Sequence, residues 1–139
     1  MKPLVLFFAL MFILSSCKKN INFTNIPQIT FKSVNTTVIH LRDPLIIDFG
    51  FTDGPGNIQD TVFFKKSTFN FYQAYPIPDF PVQKNAQGTI TLTLDYFKDI
   101  GQPQNPNVPD TAFYSIYIRD LSGHNSDTIQ TPNIIIYSN

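Results

Sequence analysis

Glutamate and tryptophan are absent from this chain, and cysteine occurs once, at Cys17. Without Glu, and with little Ala, the residues that sustain long helices are missing, which excludes a helical bundle or a coiled coil. A lone cysteine excludes a disulfide within the fold and a zinc centre built on thiolates. Charge is scarce as well. Ten Lys and Arg stand against ten Asp, and the formal net charge is zero, so the basic surface of a nucleic-acid binder is missing. The chain is still no disordered tail, because a 42% hydrophobic content at low net charge suffices to build a core. Its 139 residues hold one domain of ordinary size. What is abundant is Phe, Tyr, Thr, Ile, Asn and Pro, a composition of strands and turns.

Long apolar runs are missing too. Leu4 to Leu14 is free of polar side chains but falls well short of the roughly 20 residues that span a bilayer as a helix. It follows Lys2 and runs into Ser15, Ser16 and Cys17, the layout of an export signal over residues 1–16. Leu14-Ser15-Ser16-Cys17 resembles the lipobox of bacterial lipoproteins. The resemblance implies cleavage before Cys17 and lipidation of Cys17, so the membrane is a partner through lipid. Two or three acyl chains, at about 0.8 kcal/mol per buried methylene, anchor a domain stably. Lys18 and Lys19 stand where some lipoproteins carry the Asp that retains them in the inner membrane. The implied location is the cell envelope, at the outer membrane, with the side left open. Residues 17–27 read as a lipidated tether ending at Pro27.

From residue 28 onward, short alternating runs separated by turn clusters predict strands over 28–34, 36–40, 45–51, 61–65, 68–72, 89–95, 111–119 and 129–137. Tyr75 to Pro81 carries three prolines and is expected to be extended but outside any sheet. Residues 98–110 read as a polar loop, and the last two runs as a closing hairpin. About seven strands in one domain predict an all-β antiparallel sandwich over residues 28–139. Asp110-Thr111-Ala112-Phe113-Tyr114-Ser115-Ile116 resembles the F strand of immunoglobulin domains, with Ile116 in the place of the cysteine. The resemblance implies an immunoglobulin-like sandwich with Tyr114 as its tyrosine corner, ring in the core and hydroxyl bonded to nearby backbone.

The loop from Phe51 to Asp60, Phe-Thr-Asp-Gly-Pro-Gly-Asn-Ile-Gln-Asp, reads first as a tight Gly-Pro-Gly turn. It also resembles the Asp-Gly-Asp-Gly-Asp-Ile-Gly loop of small Bacteroidota outer-membrane lipoproteins of unknown function. Gly88-Thr89-Ile90 and the segment from Tyr117 to Ser126 extend that likeness along the domain. Pro55, Asn57 and Gln59 depart from the pattern. Asp53, Asn57 and Asp60 are the candidate oxygen ligands, calcium being the one cofactor such a loop suits.

Asp120, Ser122, His124 and Asp127 hold the residue types of a hydrolase triad, yet they fall within one hairpin turn, and His40 lies on another loop. No catalytic residue is assigned. Aromatics crowd residues 63–80 and read mainly as core, with Tyr72, Tyr75 and Phe80 beside the Pro-rich stretch as the candidate ligand surface. Thr61, Thr111 and Thr128, each after an Asp and before an apolar residue, resemble the O-glycosylation acceptors of exported Bacteroidota proteins. The resulting expectation is a non-enzymatic, membrane-anchored lipoprotein with a binding or structural role toward a protein or glycan. Its alternatives are a carbohydrate-binding accessory module of a glycan-uptake system and a calcium-dependent adhesion module.

Overall fold

The computed structural model describes residues 21–81 and 83–139. The export signal, the lipobox and Cys17 lie outside the described residues. Among the described residues ten strands follow one another: β1 (Gln28–Val34), β2 (Val38–Ile39), β3 (Leu45–Asp53), β4 (Thr61–Lys66), β5 (Gln73–Pro76), β6 (Ala86–Leu94), β7 (Asp110–Ala112), β8 (Tyr114–Arg119), β9 (Ile129–Gln130) and β10 (Ile134–Ile136).

One sheet has the order β1-β3-β6, and the facing sheet β5-β4-β8-β9. The short β7 and β10 continue β8 and β9 past two interruptions, and β2 adds to β10 in parallel. This is the arrangement of immunoglobulin A, B and E strands opposite C′, C, F and G, with the first strand crossing from one sheet to the other. The fold is an immunoglobulin-like β-sandwich. The D strand, which lies beside E in constant-type domains, has no counterpart among the described residues.

Alternation explains the layering. In β3 the residues Leu45, Ile47, Phe49 and Phe51 turn inward, and across the sheet Leu92 and Leu94 of β6 do the same. The opposite layer answers with Val62 and Phe64 of β4 and Tyr114, Ile116 and Ile118 of β8. Each such side chain contributes about 1.5–3 kcal/mol on burial. They fill the place that a Trp and a disulfide occupy in antibody domains.

Several expectations are corrected here. Residues 68–72 form no strand. After Lys66 the chain must reverse to lay β5 antiparallel against β4, and residues 67–72 make that reversal, leaving Phe71 61% exposed. Tyr75 and Pro76, placed outside any sheet by their prolines, do pair with β4, because β5 is an edge strand and needs no outward donor at Pro76. The 111–119 run breaks at Phe113, whose N–H and C=O both turn to Ser67. The 129–137 run breaks at Pro132, where Thr131 instead pairs with Tyr114. The loop 98–110 begins with a single π-helical turn, Tyr96–Ile100. Both carboxylates act at its first end, where Asp95 accepts from the Phe97 and Lys98 amides and Asp99 accepts from the Asp95 amide, while at the last end the Gly101 amide donates to the Tyr96 carbonyl. Tyr114 is fully buried as expected, but its hydroxyl has no partner among the described residues. The tether also ends earlier than Pro27, because the carbonyl of Thr24 already accepts from the Gly54 amide at 2.8 Å.

Candidate functional site

Two loops meet at one end of the sandwich. The first follows β3, and its two glycines are set by close approach. A Cβ on Gly54 would lie 2.7 Å from the carbonyl of Thr24, and one on Gly56, where φ is +76°, 1.8 Å from that of Gln83. The second is the hairpin after β8. Leu121 N–H donates to the Asn57 carbonyl at 2.9 Å, and Asn57 Nδ2 donates to Ser122 Oγ at 2.6 Å, tying the loops together.

Inside this junction lie two fully buried carboxylates, Asp53 at the end of β3 and Asp120 just past β8. Asp53 Oδ2 accepts from the Asn57 amide at 2.7 Å, while Oδ1 has no partner among the described residues. Asn57 Oδ1 is likewise buried and unpartnered. Asp120 accepts from the His124 amide at 2.8 Å and faces His124 Nδ1 at 3.0 Å. Burial pushes the Asp53 carboxyl above its ordinary range, and the charge of Asp120 adds to that push.

Of the three expected cation ligands, the structure brings Asp53 and Asn57 together and sends Asp60 elsewhere. Asp60 accepts from Arg119 Nε at 2.6 Å and from Thr61 Oγ1 at 2.8 Å, and the Arg119 bond holds its carboxyl below the usual range. Sequence spacing along one loop missed Asp120, because it comes from the other sheet and only the packing of the two sheets, with the Leu121–Asn57 bond between their loops, carries it beside Asp53. Among the described residues no three His, Cys, Asp or Glu side chains converge as metal ligands. Of Asp120, Ser122, His124 and Asp127, the structure joins Asp120 with His124 at 3.0 Å, while Ser122 Oγ accepts from Asn57 Nδ2. His40 stacks on Tyr137, in another part of the molecule.

The second feature is a groove of about 800 Å³ between the sheets. One side is β6 itself, from Gln87 to Thr93, and the other is the Pro-rich segment from Tyr75 to Phe80. Phe51 and Val62 reach it from the interior. Tyr75 is half-buried, stacked on Phe64, with its hydroxyl donating to Asp99 at 2.7 Å. Phe80 is half-buried against Phe51, and its carbonyl accepts from Gln59 Nε2. Two of the three expected ligand-surface aromatics therefore line the groove. Tyr72 does not. It lies edge-on to Tyr117, itself stacked on Phe63, with Lys65 over the Tyr72 ring and Arg119 over Phe63. Of the candidate glycosylation sites, Thr111 and Thr128 are exposed, and Thr61 is half-buried with its hydroxyl on Asp60.

Fold, loop junction and groove describe an immunoglobulin-like domain with a buried carboxylate junction at one end and an open groove beside β6. Among solved structures it is similar to a Niemann-Pick type C2 protein from Japanese carpenter ant, with a TM-score of 0.45 and 12% identity over 84% of this chain and 99% of that one. No protein-family model and no curated protein matches the chain.

Proposed function

We propose that the protein is a non-enzymatic binding domain, carried on a lipid-anchored chain of the bacterial cell envelope, and that its groove takes an extended segment of another polypeptide. The observation that carries this reading is the edge of β6. The strand is nine residues long and, among the described residues, bonded on one side only. Natural proteins blunt such edges with charge, proline, bulges or brevity. Ala86 to Leu94 contains no charged residue and no proline, and its pairing with β3 is regular over its full length. Its free edge faces an apolar groove where an immunoglobulin D strand would lie. An added strand would satisfy the open backbone groups of β6 and place alternate apolar side chains beside Val62 and Ile77. The lipid anchor rests on the Leu14-Ser15-Ser16-Cys17 motif and the short apolar run before it.

The probe is a synthetic heptapeptide alternating Val and Thr between terminal lysines, titrated into the isotopically labelled protein. Slowed exchange of β6 amides, lost in Ile90→Lys, supports strand addition. Shifts of the Tyr75 and Phe80 rings with cello- or malto-oligosaccharides, and none with peptide, would make the groove a glycan site instead.

A further inference from the structure

Outside the groove, the loop junction carries an independent inference. We propose that a hard divalent cation of the calcium class binds between the loop after β3 and the hairpin after β8, held by Asp53 Oδ1, Asn57 Oδ1 and the Asp120 carboxylate. Asp53 is 0% exposed, and one of its two oxygens has no hydrogen-bond partner. An acceptor buried without a donor costs about 1–3 kcal/mol, and more when charged. Here two such acceptors, on Asp53 and Asn57, belong to one loop.

The donors around them are spent. Asn57 Nδ2 is on Ser122, the Leu121 amide on the Asn57 carbonyl, the Asn57 and Gly56 amides on the bonded side of Asp53, and the His124 amide and Nδ1 on Asp120. Arg119, the cation on the adjoining strand end, is committed to Asp60. What is left is a surplus of oxygen lone pairs and two carboxylates that repel each other, offset in part by the His124 ring beside Asp120, an arrangement that a cation resolves. The donor set selects the kind of cation. Two carboxylates and an amide oxygen, with no thiolate, suit calcium rather than a soft transition metal. Ser122, Gly123 and His124 are exposed at the rim, so water can complete the roughly six to eight oxygens that calcium takes.

The test is equilibrium calcium binding to the full chain in neutral detergent, followed by calorimetry. A dissociation constant of about 10⁻⁴–10⁻³ M is expected, the range of extracellular modules. Asp53→Asn and Asp120→Asn should each weaken binding at least about tenfold, since each removes a ligand charge. Asp60→Asn should leave it unchanged. Asn57→Asp adds charge at a ligand position and should tighten binding, which keeps the proposal testable even where the other two variants fail to fold. The absence of binding at about 10 mM calcium overturns the proposal. So does equal affinity in Asp53→Asn and Asp60→Asn, or weaker binding in a folded Asn57→Asp. In those cases Asp53 is better described as a neutral acid donating its proton to Asn57.

Discussion

A hydroxyl buried without a partner costs about 1–3 kcal/mol, and Tyr114 carries one. In a tyrosine corner the hydroxyl would bond to backbone, and its removal would destabilise the domain. Here the ring fills the core and the oxygen is a liability, so Tyr114→Phe is expected to raise stability by about 1 kcal/mol in urea unfolding. A loss of similar size would restore the corner. Lys66 supplies a second contrast. Its ammonium is buried, bonded to Asp110 at 2.8 Å, while Asp110 keeps 28% of its side chain exposed. Asp110→Ala strands a buried cation and should cost about 3–5 kcal/mol, whereas Lys66→Met leaves a carboxylate that water can reach and should cost much less. Neither residue was legible in the sequence. Lys66 ends an alternating run where a charge normally marks the solvent face. Phe69 of the neighbouring turn and Asp110 at the start of β7 meet its ammonium there. Tyr114, by contrast, could be placed inside from its alternation alone, although its hydroxyl's surroundings could not.

Strands are legible where alternation is strict and the faces differ, as in Leu45 to Phe51 and Thr89 to Leu94. They are obscure where backbone partners decide, at Phe113, at Pro132 and in the reversal before β5. The turn after β3 is legible as a turn, but the reason for its glycines is not, because Thr24 and Gln83 press on it from distant parts of the chain. Gly56→Ala should therefore cost at least about 2 kcal/mol, from positive φ and from displacement of the Gln83 segment. Thermal unfolding checks this, and a neutral result would mean that the segment yields freely. The same loop sets a pH dependence in calcium-free buffer. Asp53 has a folded pKa raised above its unfolded value, so the folded state holds the proton more tightly and stability falls as pH rises through that interval. Asp53→Asn should remove this fall and leave the chelated protein more stable at neutral pH, as read from unfolding curves across the acid range.

At the scale of the whole molecule, the docking of Thr24 on Gly54 fixes which end of the sandwich the chain enters. That end holds the Asp53 and Asp120 junction and the hairpin tip, where Leu121 is 62% exposed. The opposite end holds the start of β3, the end of β6 and the loop carrying Val108, which is 55% exposed. The nine-residue pairing of β3 with β6 separates the two ends by about 30 Å. If Cys17 carries lipid, residues 18–23 separate it from the docked Thr24, and at roughly 3.3–3.6 Å per residue such a stretch reaches about 20 Å at most. The loop junction would then lie against the bilayer, the Val108 loop would point away, and the groove would open sideways along the flank. Spin labels at Leu121→Cys and Val108→Cys in the lipidated protein on vesicles distinguish the two ends. The label at 121 should be relaxed by a membrane-bound relaxant and the label at 108 should not. Equal relaxation would mean that the N-terminal segment peels off Gly54 on the membrane. The domain would then tumble freely, and partners would meet the groove at any height the peeled tether allows.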